Sequence, residues 1–190
     1  MTHPNQGVRR QGGFACLLLI VLAILGIGAA RQVRRDPNFN ALQEAETAPA
    51  RDFNNLSRSL GPRLDVFSDV SERFSRLLNG RVATPIVNPN FRRELDTLIT
   101  EIDVALTALR SVTEPNPETQ AIRQSITNAV AFMRDAMTTL RRSLDAPDDL
   151  KLRSGPDSVE ALLNRSAAAS KSFVSLRDAY FRNHELESVP

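Results

Sequence analysis

Apolar residues recur at intervals of three and four along four successive blocks of the chain, and polar or charged residues fill the positions between them. This is the spacing of helices that bury one face, and no block alternates with the period of two that a β-strand shows. The sequence therefore predicts an all-α domain over residues 52–183, followed by a polar C-terminal tail over 184–190. The predicted helices cover about residues 52–79, 89–112, 117–144 and 156–181.

Proline and asparagine mark the expected starts of three helices. Pro89, Pro117 and Pro156 are placed in first helical turns, where the N–H that proline lacks would be unpaired in any case. Asn88 and Asn116 immediately precede two of these prolines, and asparagine is a favourable N-cap residue. These signals set the predicted helix boundaries.

The first predicted helix contains two residues that normally disturb helices. Pro62 removes a hydrogen bond to the carbonyl of Arg58, so we expect a kink or a short break there. Gly80 is expected to end the helix as a C-cap glycine. The link Thr113–Asn116 between the second and third helices is long enough only for an antiparallel hairpin. The predicted architecture is an antiparallel, up-down-up-down four-helix bundle.

The chain before this domain has a different pattern, an uninterrupted apolar run. Residues 13–30 carry no charge, and as a helix these 18 residues would span roughly 27 Å, close to the thickness of a bilayer core of about 30 Å. We interpret them as a retained signal anchor, a single transmembrane helix between a basic tail (1–12) and a tether (31–51). The residues expected to contact the lipid bilayer are Phe14, Leu17, Leu18, Leu19, Ile20, Val21, Leu22, Ile24, Leu25 and Ile27.

Arginines flank the apolar run on both sides, at Arg9, Arg10, Arg31, Arg34 and Arg35. Because they nearly balance, the positive-inside rule gives little preference of orientation. A short basic tail before a first span usually stays in the cytoplasm, which would place the bundle outside. A cleavable secretory signal is the alternative, since small residues precede Arg31 at the positions that signal peptidase reads. The arginine cluster after that site would resist translocation, which favours retention.

Residues 12–14, Gly-Gly-Phe, and the apolar segment 22–27 resemble the leader and first helix of type IV pilin-like proteins. The match covers about 20 residues, and Leu18 stands where that family carries a glutamate five residues after its cleavage point. The resemblance implies cleavage after Gly13 and a role as a pilin-like or secretion-system subunit. It also implies a β-sheet in the globular part, whereas no strand pattern follows here.

Charge and cysteine content argue against several function classes. The chain has 24 basic and 22 acidic residues, and Arg9 and Arg10 in the N-terminal tail account for the difference. The rest of the chain is therefore formally neutral, and the pI near 9.2 does not indicate a nucleic-acid partner. A phosphate-binding face would be one-sidedly basic, yet here acids and bases interleave. Cys16, the only cysteine, lies in the apolar run, which leaves the domain without a disulfide or a cysteine-based metal site.

The domain shows no residue pattern typical of catalysis, of a metal centre or of a cofactor site. Its single histidine, His184, lies near Glu185 and Glu187, and we interpret this segment as a frayed polar terminus. The sequence therefore predicts a protein that is not an enzyme and holds no cofactor or metal. The acidic groups interpreted as solvated surface are Asp65 with Asp69, Glu101 with Asp103, and the loop residues Asp145, Asp148 and Asp149.

Two features could support a binding function. Ser166, Ala169 and Ser170 are small residues on the inward stripe of the fourth helix, where the other helices carry leucine or phenylalanine. They either allow close helix packing or leave a ligand pocket, and packing is favoured because an empty cavity costs stability. Doubled apolar positions widen the stripes, and any part left uncovered would form an oligomer or docking surface. These positions are Leu77 with Leu78, Leu98 with Ile99, Ala129 with Val130, and Leu162 with Leu163.

These features predict a single-pass membrane protein that acts by protein–protein contact, with another protein or a second copy as its partner. Its expected role is an interaction or scaffolding subunit of a membrane or envelope assembly. One alternative is a membrane-anchored sensory or ligand-binding domain, which would have to signal through a partner because its N-terminal tail of 12 residues is too short to be a signalling region. The other is the pilin-like or secretion-system subunit.

Overall fold

The computed structural model describes residues 47–83, 90–114, 116–145 and 155–186, without the side chains of residues 80–83. Within these residues the chain forms four helices that pack as a bundle, so the prediction of an all-α domain is confirmed. The predicted transmembrane helix, its flanking arginines and most of the tether lie outside the described residues. The helices are α1 (Ala48–Ala83), α2 (Phe91–Arg110), α3 (Pro117–Asp145) and α4 (Val159–Asn183).

The helical stripes predicted from the spacing of apolar residues form one continuous core. Every helix contributes large side chains that are almost fully enclosed, as expected when apolar residues recur every three or four positions. None of the four described helices is both long enough and apolar enough to serve as a membrane span. The largest fully buried side chains include Phe53, Phe67, Phe74, Phe91, Leu95, Ile102, Phe173 and Tyr180.

Ion pairs fix how α2 lies against α3. Residues early in α2 pair with residues late in α3, so the two helices run antiparallel, as the short link between them predicted. The arginine and aspartate side chains involved are 27–54% exposed, and exposed pairs contribute little stability individually. Their main effect is on register. The pairs are Arg92 with Asp145 at 2.9 Å, Arg141 with Asp96 at 2.8 Å, and Arg134 with Asp103 at 2.9 Å.

Helix α1 is longer than the sequence predicted. It begins at Ala48 instead of Asp52, because Pro49 suits a first helical turn. It continues through Pro62, so the predicted break is absent; the proline is exposed, on the side of the helix opposite the core. The prediction that Gly80 ends the helix is wrong, since α1 extends to Ala83 and an interior glycine costs only about 1 kcal/mol.

Two helix starts show which capping signals decided the boundaries. Asn116 caps α3 as predicted, because its Oδ1 accepts a hydrogen bond from the Glu118 N–H at 2.8 Å. Helix α4 begins at Val159 and not at Pro156, since the Ser158 Oγ accepts the Ala161 N–H at 3.2 Å and makes serine the N-cap. Serine satisfies a free N–H there, which proline cannot do.

Candidate functional site

The predicted small residues of α4 lie in a close contact with α3, which we call the α3–α4 seam. Ser166 and Ser170 are each 2% exposed. The Ser166 hydroxyl donates to the Ala129 carbonyl of α3 at 2.8 Å, and the Ser125 hydroxyl of α3 donates to the Ala169 carbonyl at 2.9 Å. Small side chains let the two backbones come this near, and the paired hydrogen bonds satisfy the buried hydroxyls. The geometry at these residues is that of helix packing.

A second group of residues joins three helices at one end of the bundle, and we call it the end cluster. Tyr180 near the end of α4 donates its hydroxyl proton to the Pro49 carbonyl at the start of α1, at 2.8 Å. The ring of Phe53 from α1 lies 5.8 Å from that of Tyr180 and 4.8 Å from that of Phe181. Aromatic contacts at these distances stabilise beyond the area they bury. The end cluster therefore attaches the start of α1 to the end of α4.

His184 belongs to this end cluster, and its interpretation as part of a frayed terminus is wrong. Its Nε2 lies 2.6 Å from a Glu118 carboxylate oxygen at the start of α3, and its ring lies 4.5 Å from the Tyr180 ring. The chain is also ordered beyond it, because the Leu186 N–H donates to the Phe181 carbonyl at 3.0 Å. The histidine thus connects the end of α4 to the start of α3.

Burial and hydrogen bonding shift two acid–base groups of the end cluster. The hydrogen bond to His184, and secondarily the one to Asn183, lower the pKa of Glu118. Burial raises the pKa of Tyr180 to about 12, and the nearby charges of Asp52 and Glu118 add to the rise. Tyr180 therefore keeps its proton at physiological pH and remains a hydrogen-bond donor to α1.

The lowered pKa of Glu118 predicts a pH-dependent contribution to stability. A carboxylate whose pKa is lower in the folded state than in the unfolded state stabilises the fold when it is ionised. This contribution is fully present above the unfolded-state pKa of about 4.3 and disappears as the pH falls through the folded-state pKa. We expect Glu118→Gln to lower the urea midpoint at pH 6 and to have little effect at pH 3. The same substitution in a His184→Ala background should change the midpoint less at pH 6. A difference between wild type and Glu118→Gln that is equal at both pH values would contradict this account.

Asp69, Glu101, Asp103 and Asp145, four of the acidic residues singled out in the sequence, pair with arginines of neighbouring turns and helices. Arg73 of α1 lies 3.3 Å from Asp69 and 2.6 Å from Glu101 of α2, and the hydrogen bond to Glu101 raises the pKa of Arg73. Asp103 and Asp145 take part in the α2–α3 ion pairs, and Asp65 also has an interaction partner. Among residues 47–83, 90–114, 116–145 and 155–186, no three His, Cys, Asp or Glu side chains are grouped as metal ligands. Asp148, Asp149 and Glu187 lie outside the described residues.

The doubled apolar positions are covered by the bundle and do not form a docking surface. Seven of the eight residues are buried, and Ile99 is partly buried against the core. The wide stripes therefore serve the four-helix interior, which was the simpler of the two interpretations.

A stripe of uncharged residues, which we did not predict from the sequence, lies on the outward face of α2, opposite the core. Val104 lies at its centre and is 67% exposed, the most exposed large hydrophobic residue of the described chain. A shallow open groove follows the stripe from Thr100 to Ser111 and is also lined by the charged side chain of Asp103. The signal was present in the sequence as uncharged residues spaced by three and four, out of phase with the core. We define the α2 outer stripe as Thr97, Thr100, Val104, Thr107, Ala108 and Ser111.

Comparisons of the chain with protein-family models, with curated proteins and with solved structures gave no match. The fold class is therefore the one that the helices themselves define, a four-helix bundle.

Proposed function

We propose that this chain is a membrane-anchored helical-bundle protein that acts without catalysis, as an interaction or scaffolding subunit of a membrane or envelope assembly. The apolar run of residues 13–30 provides the anchor, and the bundle faces the extracytoplasmic side with the basic tail inside. The observation that most directly supports a contact function is the α2 outer stripe, with Val104 67% exposed at its centre.

The outward face of a bundle helix normally carries charged residues, because it meets water. The α2 outer stripe carries none over the four turns from Thr97 to Ser111. Val66 on α1 is the other exposed large hydrophobic residue among those described, at 39%. Both valines have acidic neighbours, Asp65 and Asp69 for Val66 and Glu101 and Asp103 for Val104, so the two positions differ mainly in exposure. An uncharged face with a central apolar residue is the kind of surface that proteins use to contact each other.

Three of the four hydroxyl side chains of the stripe already donate a hydrogen bond to a carbonyl of their own helix. Thr97 donates to the Arg93 carbonyl and Thr100 to the Asp96 carbonyl, both at 2.9 Å. Ser111 donates to the Ala108 carbonyl, also at 2.9 Å. A hydroxyl that keeps its hydrogen bond can be covered by a partner without the cost of an unpaired buried donor. These three residues can therefore be buried against protein at low desolvation cost.

The α3–α4 seam favours this role over the sensory alternative. A ligand-binding bundle needs open space where Ser166, Ala169 and Ser170 lie, but Ser166 and Ser170 are enclosed and hydrogen-bonded to helix carbonyls. The pilin-like alternative depends on residues 12–27, which lie outside the described part of the chain.

The proposal predicts that a photo-crosslinking residue at position 104 of the full chain, irradiated in native membranes, forms an adduct of one discrete mass. The matched control is the same residue at position 66, the exposed valine of α1, where we expect no adduct. Thr100→Lys, which adds a charge to the stripe, should remove the adduct at position 104. Absence of an adduct, or equal adducts at both positions, would contradict the proposed contact function.

A further inference from the structure

We propose that the C-terminal end of α4 is a pH-responsive clasp, which protonated His184 holds closed on Glu118 of α3 and which loosens when His184 loses its proton. The clasp comprises the C-terminal cap of α4, residues 183–186, and the Glu118 carboxylate. It is part of the end cluster and is separate from the α2 outer stripe. The attachment of α4 to the start of α3 is therefore stronger in mild acid than at alkaline pH.

The cap that closes α4 is a Schellman motif with an unfavourable residue in it. The Leu186 N–H donates to the Phe181 carbonyl at 3.0 Å, and the Glu185 N–H donates to the Arg182 carbonyl at 3.4 Å. The motif needs a left-handed residue, and Glu185 takes that conformation with φ 52°. Glycine is usual there, because a Cβ disfavours the left-handed conformation roughly tenfold. The cap therefore depends on contacts outside its own backbone.

The Glu118 carboxylate supplies two such contacts, one to each of its oxygens. The His184 Nε2 lies 2.6 Å from Oε2, and the Asn183 Nδ2 donates to Oε1 at 3.3 Å. Glu118 is itself fixed at the start of α3, since its N–H donates to the Asn116 Oδ1. Leu186 adds a third contact, because it packs partly buried against the core. Closing the cap thus brings the end of α4, the start of α3 and the core together.

The contact between His184 and Glu118 depends on protonation of the imidazole. Histidine changes its charge between pH 5 and 8. A protonated ring carries a proton on both nitrogens, so Nε2 donates to the carboxylate and the opposite charges attract. A neutral ring carries one proton, and the tautomer with a bare Nε2 turns a lone pair toward the carboxylate. The contact is strongest when His184 is protonated and Glu118 is ionised.

The charged groups around this contact come from three helices. Glu118 lies on α3, and Asp52 of α1 acts with Glu118 on the Tyr180 hydroxyl. The Tyr180 ring lies 4.5 Å from the imidazole ring and is neutral, because burial raises the pKa of Tyr180 to about 12. On α4 itself, Arg182 and Glu185 flank the histidine and are exposed. These carboxylates outnumber the one guanidinium, so a positive charge on the ring meets more attraction than repulsion.

The penalty in the cap and the gain from the pair are of similar size, so one proton shifts the balance between closed and open. The side chains of His184 and Glu118 are 26% and 46% exposed, and an exposed pair changes an equilibrium by up to about fivefold. This gain is present at mildly acidic pH and is lost as the pH rises toward 8. The hydrogen bond to His184 lowers the pKa of Glu118, so the carboxylate stays ionised and the pair persists down to about pH 4.

Amide hydrogen exchange of the full chain in detergent micelles, followed by NMR, tests the clasp. The readout is the protection factor of the Leu186 N–H, which corrects for the effect of pH on intrinsic exchange. We expect it to be about threefold higher at pH 5.5 than at pH 8. His184→Gln keeps an N–H donor but does not titrate, so its protection factor should be the same at both pH values. Glu118→Gln should also abolish the difference.

Two controls separate the clasp from a general effect of pH. The Ser111 N–H, which donates to the Thr107 carbonyl at the end of α2, should show equal protection at both pH values. Glu185→Gly should raise the protection of the Leu186 N–H about tenfold at both pH values, because it removes the left-handed penalty.

Three results would overturn the proposed clasp. Equal protection of the Leu186 N–H at pH 5.5 and pH 8 in the wild type would show that the cap does not respond to pH. A difference that persists in His184→Gln or in Glu118→Gln would assign the response to another group. An equal change at Ser111 would show that the whole bundle responds. Each of these results leaves the proposed contact function of the α2 outer stripe to its own test by photo-crosslinking.

Discussion

Replacing Ser166 with leucine is expected to destabilise the bundle by about 2–3 kcal/mol, because the α3–α4 seam has no room for a larger side chain. Ser166 is 2% exposed, and its hydroxyl lies 2.8 Å from the carbonyl oxygen of Ala129. Leucine would separate the two helices and remove this hydrogen bond. The free energy of unfolding of the full chain in detergent, from a urea titration followed by circular dichroism, measures the effect.

Ser172→Leu is the matched control for this prediction, since it makes the same change at an exposed position of α4. We expect it to alter the free energy of unfolding by no more than about 0.5 kcal/mol. If Ser166→Leu leaves stability unchanged or raises it, the residue borders open space instead of a packed contact. That result would favour the ligand-binding alternative over the scaffold.

Phe53→Ala is expected to cost about 3–5 kcal/mol, because this side chain makes the aromatic contact between α1 and α4. Phe53 is 1% exposed, and its ring contacts those of Tyr180 and Phe181. Its removal leaves a cavity at the end cluster and separates the start of α1 from the end of α4. The same urea titration measures the loss, with the midpoint and the slope compared with wild type.

Phe132→Ala provides the comparison for that substitution. Phe132 is only partly buried on α3, and its ring lies 5.8 Å from the guanidinium carbon of Arg165. Its loss should cost clearly less, because the partly exposed Phe132 side chain buries less apolar area on folding than Phe53 does. Equal losses for Phe53→Ala and Phe132→Ala would contradict the importance given to the end cluster.

The helices could be predicted from the sequence because their signals are local. Spacing by three and four placed Phe53, Ile102 and Phe173 on buried stripes, and all three are 1% exposed or less. Capping is equally local, and Asn116 was assigned correctly from its place before a proline. The predicted start of α4 was wrong because two local signals compete there. Pro156 indicated a first helical turn, but Ser158 is the N-cap and the helix begins at Val159.

The candidate sites were much less predictable, because they depend on contacts between distant parts of the chain. His184 and Glu118 are 66 residues apart, and nothing near either residue indicates that they meet. The small residues of α4 were identified, but only the position of Ala129 on α3 shows that Ser166 is enclosed. The α2 outer stripe could have been found, since the spacing around Val104 is visible in the sequence once the core face is set aside.

Attachment to a membrane through residues 13–30 is the central claim, and alkaline carbonate extraction of membranes from cells expressing the full chain tests it most directly. The control is the same chain without residues 13–30. The account predicts that the full chain stays in the membrane pellet with residues 1–30 intact by mass spectrometry, and that the deleted chain is released. A full-length gene product recovered in the soluble fraction, or one that begins after residue 30, would contradict it.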